Sequence, residues 1–328
     1  MTISLGSSRV RRWSIWLLLL LAFVAAGCGD SSDGEEQAPP PPARAEDFPD
    51  PSGKTLAQMR KGLGPGPVFA ASVAVLEPGS NRVGFGLFDR ARKQVVDVPA
   101  ALYVAPMKGG PVRGPFTARY ESLEVKPQFQ SEGVKADPDS ARSVYVADVR
   151  FPRPGDYEVL AVVQLDGSLV AAERGALRVV RDSPVPEPGE PAVSIETPTR
   201  ADVGGDVARI DTRVPPSTMH EVDYADVLGK RPIVLVLATP ALCQSRVCGP
   251  VVDIAEQIKA GYDGDAEFIH MEIFNDNDPS KGFREQVLAW KVPTEPWVFT
   301  IDREGKVAAW LEGAFSAKEL EAAVAKAD

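Results

Sequence analysis

The 328-residue sequence has little cysteine and little histidine, three and two residues respectively. Three cysteines are too few for a disulfide scaffold. Two histidines leave little room for a His-rich metal site or for several histidine catalysts. Basic charge is also short. The formal charge of −10 argues against nucleic acid as a partner, since nucleic-acid binders carry a basic footprint. The N-terminal apolar run, Trp13–Ala26, has 14 residues, fewer than the ~20 a membrane-spanning helix needs. No Gly-x-Ser-x-Gly, phosphate-binding Walker loop or His-Glu-x-x-His occurs. Gly84-x-Gly86 is not followed by a helical pattern, so it is no dinucleotide loop. Asp276-Asn277-Asp278-Pro279-Ser280 lacks the Gly and distal Glu of a Ca²⁺ loop and reads as a turn with a helix N-cap. What is present is a globular balance of 44% hydrophobic and 25% charged residues, with 30 Pro and 28 Gly. At ~100–200 residues per domain, this length suggests two domains plus accessory segments.

Arg9, Arg11 and Arg12 precede the apolar run, which ends Val24-Ala25-Ala26-Gly27-Cys28. Small residues before a Cys resemble the lipobox of bacterial lipoprotein signal peptides. The resemblance implies cleavage before Cys28, lipid on its thiol and its new amine, and attachment to the bilayer. The protein would then be anchored in the cell membrane and face the extracytoplasmic side. Two or more acyl chains anchor stably where one is marginal. Export also implies an oxidising compartment, where a cysteine pair can be a disulfide.

Five segments are expected: a signal peptide over 1–27, a tether over 28–60, a β-sandwich over 61–183, a Pro-rich linker over 184–195 and a C-terminal domain over 196–328. The tether is acidic and then proline-rich at Pro39–Pro42. In the third segment about seven short apolar stretches are separated by turn signals such as Gly109-Gly110-Pro111 and Pro152-Arg153-Pro154-Gly155-Asp156. The Pro-Gly-Asp-Tyr-Glu-Val run resembles a late hairpin of immunoglobulin-like exported domains. From 192 onward the pattern alternates. Ile233–Ala238 is a continuous apolar run suited to a strand buried on both faces. Val251, Ile254, Ala255 and Ile258 form a helical stripe, and Ser280–Trp290 suggests a second helix. Ser316-Ala317-Lys318-Glu319 is a capping box opening the last helix.

Gly229–Pro250, with Cys243 and Cys248, resembles the active-site strand and helix start of thioredoxin-like proteins, and the likeness continues through Val292–Val307. It implies an α/β thioredoxin-like C-terminal domain beside an all-β immunoglobulin-like sandwich. It further implies thiol–disulfide oxidoreductase activity toward the thiols or disulfides of exported proteins, with no cofactor. Family members place a cis-proline before the later strand; Pro296 matches best and Pro293 competes. The cysteines depart from the family's Cys-x-x-Cys, having four residues between them. That gap also occurs in some atypical two-cysteine peroxiredoxins, whose Thr three residues before the first Cys is replaced here by Pro240. Sco-type copper chaperones carry Cys-x-x-x-Cys and a His far downstream, against which only His270 can be set here.

Two residues five apart on a regular helix are separated by ~7.5 Å of rise and ~140° of rotation. A disulfide needs Cα atoms within ~4.4–6.8 Å. Either Cys243 sits in the loop before the helix and curls back, or the first helical turn unwinds on oxidation. A Cys243 at the helix start would have a favoured thiolate, aided by Arg246 and Arg231, and would attack, with Cys248 resolving. A static structural disulfide on a binding module is the competing expectation. The active-site strand carries no buried acid, which leaves Glu295 as the one suggestion for a proton acceptor.

Overall fold

A computed structural model describes residues 42–328. The expected signal peptide, Cys28 and the start of the tether lie outside the described residues. Nine strands occupy the first part: β1 (Gly64–Pro65), β2 (Val68–Ala71), β3 (Gly79–Phe88), β4 (Ala100–Pro106), β5 (Arg113–Ser122), β6 (Ser143–Phe151), β7 (Gly155–Leu165), β8 (Ser168–Ala171) and β9 (Gly175–Val179). They form one curled sheet of order β1-β8-β7-β4-β5-β6-β3-β2, with β9 also on β7. Alternation along the strands explains the curl's core. In β6, Tyr145, Ala147, Val149 and Phe151 point into it, while Val144 and Val146 point the other way. The turn into β7 uses Gly155 at φ 141°, and the Tyr157 hydroxyl donates to the Arg153 carbonyl at 2.8 Å.

Four strands make the second sheet: β10 (Ile233–Leu237), β11 (Glu267–Met271), β12 (Trp297–Ile301) and β13 (Val307–Glu312), in the order β11-β10-β12-β13. β10 runs parallel to β11 and antiparallel to β12. Val234 and Val236 face one apolar cluster; Ile233, Leu235 and Leu237 face another. This double burial is why β10 is apolar at every position. The helices are α1 (Leu56–Arg60), α2 (Glu132–Ala136), α3 (Tyr224–Val227), α4 (Cys248–Gly261), α5 (Glu285–Trp290) and α6 (Ala317–Val324). Among the described residues no helix is long and apolar enough to cross a membrane.

This architecture corrects the expected fold class. The described chain is mostly β, and α4 is its only helix longer than eight residues. The expected α/β thioredoxin-like domain beside a separate immunoglobulin-like sandwich is replaced by one curled nine-stranded sheet and one four-stranded sheet. Two physical causes stand out. β5 pairs with β4 through Leu102↔Phe116 and with β6 through Ala118↔Ala147, so a single strand joins what a sandwich would keep as two sheets. The expected helix over Ser280–Trp290 is cut to α5, because Pro279 and Gly282, the latter at φ 75°, hold the chain in a short 3₁₀ turn first.

Residues 42–60 are packed rather than extended. Phe48, Leu56 and Met59 are buried against Ala101, Tyr103 and Leu160. The Pro-rich stretch lies along β13's turn, with Gly189 N–H donating to Val307 and Ala192 N–H to Gly305. The described residues, 42–328, fall within one compact unit. Its seam is apolar where Leu123, Val144 and Val146 meet Val251, Val252 and Phe315. It is polar at Glu312, whose buried carboxylate accepts from the Ala74 and Val75 amides at 2.8 and 2.9 Å and from the Thr294 hydroxyl at 2.6 Å. Arg82 reaches across to Glu319 at 2.8 Å. Arg213, which donates to the Phe129 carbonyl, forms a buried pair with Asp253 at 2.8 Å.

Candidate redox site

β10 delivers the chain to a ten-residue connection ending at α4. Thr239 closes the first turn, its carbonyl accepting from Cys243 N–H at 3.2 Å, and Arg246 N–H returns to the Cys243 carbonyl at 3.2 Å. Arg246 adopts φ 59°, an uncommon conformation for a residue with a side chain, and it reverses the chain into the helix. The first sheet's connection pins this turn. Ala141 N–H donates to the Arg246 carbonyl at 3.2 Å, and the guanidinium pairs with Asp137 and Asp139 at 2.9 Å each.

Cys243 and Cys248 are joined as a disulfide with Cα atoms 6.0 Å apart. Of the two open geometries, this is the loop that curls back, since the helix from Cys248 is intact. The structure reverses one detail. Cys248, not Cys243, is the first helical residue, so the unpaired amides and dipole of the helix start favour the Cys248 thiolate. Cys243 is half-buried, whereas Cys248 is buried. The Ser245 hydroxyl lies 3.1 Å from the Cys243 sulfur. Neither expected arginine stands free to favour a thiolate. Arg246 is held by Asp137 and Asp139, and Arg231 pairs with Asp265 and Glu267.

The Glu295–Pro296 bond is cis; the Val292–Pro293 bond is not among the cis bonds of the described residues. Pro296 is buried, and its carbonyl accepts from Gly313 N–H at 2.9 Å. Glu295 supplies the ionisable group at this position. A carboxylate oxygen of Glu295 and the two sulfurs all lie within 4.8 Å of one another. Burial, with a smaller push from the Glu272 carboxylate, raises its carboxyl to about 7, against a 2.9 Å hydrogen bond from Thr239 N–H that favours the anion. A group poised there exchanges a proton near neutral pH. The suggestion of Glu295 thus meets geometry that its sequence position alone did not supply.

Cys243 opens on a cleft of about 450 Å³ between the two parts of the chain, lined in part by Val134, Asp137, Val214, Pro240, Ala241 and Arg246. Val214 is 51% exposed, an apolar surface beside the disulfide.

His270 is not brought to the sulfurs as a ligand. Both its ring nitrogens are engaged, Nδ1 toward the Asp211 carboxylate at 3.3 Å and Nε2 toward the Ala238 carbonyl at 2.9 Å. Asp211 also accepts from His220 Nε2 at 3.0 Å and from Ser217 N–H at 2.7 Å. Burial alone would lower the His270 pKa, but the Asp211 charge outweighs it and raises it to about 9. Asp211 is held well below the carboxylate range: burial opposes this, and the His270 charge overcomes it. His220, with burial as the main cause, is shifted down. The three therefore form a trio of a carboxylate, an imidazolium and a neutral imidazole, with His220 Nδ1 left buried and without a partner among the described residues. Their donor atoms are close enough to share a cation, as are those of Cys243, Cys248 and Glu295. In the first cluster, however, the single Asp211 oxygen already answers both rings, and in the second the sulfurs are spent on each other. Sequence reasoning weighed His270 as a copper ligand and missed this trio, because His270 lies 59 residues beyond Asp211 and no local pattern joins them.

No family model matches the chain, and no curated protein matches it. Among solved structures, the crystal structure of the Lin-41 filamin domain is similar at 13% identity over 36% of this chain and 99% of that chain, with a TM-score of 0.19. That likeness is too slight to bear on fold or function.

Proposed function

We propose that the protein performs thiol–disulfide exchange on exported proteins through Cys243 and Cys248, held at the extracytoplasmic face of the membrane by lipid on Cys28. The observation that carries the reading is the Glu295 carboxyl beside a disulfide with one half-buried and one buried sulfur. A substrate thiolate approaching from the cleft attacks the Cys243 sulfur. A new S–S bond forms, the Cys243–Cys248 bond breaks, and its electron pair leaves on the Cys248 sulfur. The helix start favours that leaving thiolate, and low-pKa thiols leave fastest. Glu295, half-protonated near pH 7, hands its proton to the Cys248 sulfur. A second thiolate of the same substrate then attacks the substrate sulfur of the mixed disulfide and releases Cys243. The substrate is oxidised and the cysteine pair reduced by two electrons; the reverse sequence reduces a substrate disulfide.

The test is exchange with a reduced or oxidised model protein such as insulin. Wild type exchanges, and Cys243→Ser and Cys248→Ala do not complete turnover. Cys248→Ala accumulates a mixed disulfide on Cys243. Unchanged exchange in Cys243→Ser overturns the proposal. So does a midpoint potential below about −300 mV, which belongs to an inert structural staple.

A further inference from the structure

Ala238 C=O and Thr239 N–H belong to one peptide unit, and each end meets an ionisable side chain. His270 Nε2–H donates to the carbonyl at 2.9 Å, and the amide N–H donates to the Glu295 carboxylate at 2.9 Å. Thr239 is fully buried, and its hydroxyl oxygen accepts from Ile273 N–H at 3.1 Å, which fixes the peptide in place. We propose that His270 is a positioning residue for Glu295, acting through the Ala238–Thr239 peptide to aim and polarise the N–H that holds the carboxylate beside the cysteines. For its consequence in exchange this rests on the function proposed above; its test does not.

The physical argument runs along the hydrogen bonds. A cation donating to a carbonyl draws electron density through the amide and strengthens its N–H as a donor, the cooperative strengthening expected of hydrogen-bond chains in a dry interior. To donate to both the carbonyl and the Asp211 carboxylate the ring must be cationic; the Ser217 hydroxyl, 3.3 Å from Nδ1, is the donor a neutral ring would use instead. With Nε2–H on the carbonyl, a neutral ring would turn the Nδ1 lone pair toward the Asp211 oxygen 3.3 Å away. Ring protonation removes that clash, and Asp211 supplies the countercharge. The groups facing His270 are Asp211, His220, Glu272 and Ser217. Those facing Glu295 are Thr239, Glu272 and the two sulfurs. Burying a carboxylate, two imidazoles and their hydrogen bonds at the end of β10 has a purpose on this account: it sets the proton affinity of the acid at the disulfide.

The experiment follows the Glu295 carboxyl by carbon-13 NMR in the oxidised protein, without substrate, so its outcome is separate from whether exchange occurs. A Gln amide at 270 can replace Nε2–H on the carbonyl, whereas an Asn amide replaces only Nδ1–H. His270→Asn is expected to raise the Glu295 midpoint by roughly 0.3–1 pH unit, and His270→Gln to leave it closer to wild type. Identical midpoints in wild type and a folded His270→Asn overturn the proposal. A nitrogen-15 spectrum of the wild-type imidazoles needs no variant. It is expected to show both His270 ring nitrogens protonated at pH 7, and a bare Nε2 there overturns the proposal equally.

Discussion

Replacing Glu295 with Gln should change how stability depends on pH, and in a direction opposite to the usual surface carboxylate. The folded protein raises this carboxyl from an ordinary 4.5 to about 7, chiefly by burial. At any pH between those values the folded chain holds a proton that the unfolded chain has released. Stability is therefore greatest below the unfolded value and falls as pH rises through the folded one. The gap of about 2.5, at 1.36 kcal/mol for each unit of pKa, sets the full loss at about 3 kcal/mol. Part of the carboxyl meets water, which makes this an upper value. About 2.5 kcal/mol of it falls between pH 5 and pH 8. Gln keeps an oxygen for the Thr239 amide and cannot ionise. Other buried acids away from Glu295, such as Glu312, are shifted upward too, and the comparison with Glu295→Gln cancels them. Denaturant unfolding of both oxidised proteins at pH 5 and pH 8 reads the effect. The variant should lose less stability across this range by about 2 kcal/mol or more. Equal losses in the two proteins would show that the carboxyl ionises as it does in water, and the proton-transfer role would fall with it.

The Cys243–Cys248 bond closes only a short loop, so reducing it should cost only about 2 kcal/mol, measured as the difference between oxidised and reduced unfolding midpoints; a loss of the whole fold would mark the bond as a structural staple. Asp253→Ala strands the Arg213 guanidinium, buried with only its partner and two carbonyls for company, and should cost roughly 3–5 kcal/mol by denaturant unfolding. Gly313 sits at φ 72°, where an added Cβ would strike the Ser72 carbonyl oxygen, so Gly313→Ala should lower the melting temperature by several degrees, about 1 kcal/mol or more, and loosen the seam at Glu312. Trp290→Ala, which removes a fully buried ring 4.2 Å from Phe299, should cost about 3–5 kcal/mol in the same assay.

Features set by neighbours in sequence were legible. The turn signal Pro152-Arg153-Pro154-Gly155-Asp156 marks the hairpin between β6 and β7 where the structure has it. The capping box at Ser316 and Glu319 forms with both of its hydrogen bonds. Features set by distant partners were not legible. Glu319 reads locally as a cap, yet its carboxylate also receives Arg82 and Arg119 from the other sheet. Asp211 carries no motif in the sequence, and only the fold places His220 and His270 on it. The fold class failed for a related reason. Apolar stripes and strand order describe elements one at a time, whereas the joining of two sheet halves through β5 is a matter of long-range register.

The cysteine pair shows the same division within one motif. Spacing alone excluded a bridge inside a regular helix, because the rise is too great for the bond. It left open whether the loop curls back or the helix unwinds. What settles the geometry is Arg246, turned to φ 59° and tied to Asp137, 109 residues earlier. That contact gives the first sheet's connection a direct part in the geometry of the cysteine pair. It places one wall of the Cys243 cleft and holds the loop in the bend that lets the sulfurs meet. Once the side-chain tie is cut, as in Arg246→Ala, the curl keeps only the backbone bond from Ala141 to hold it to the first sheet's connection. The chemistry of the pair is thus written in two residues, and its geometry in a segment that no local pattern connects to them.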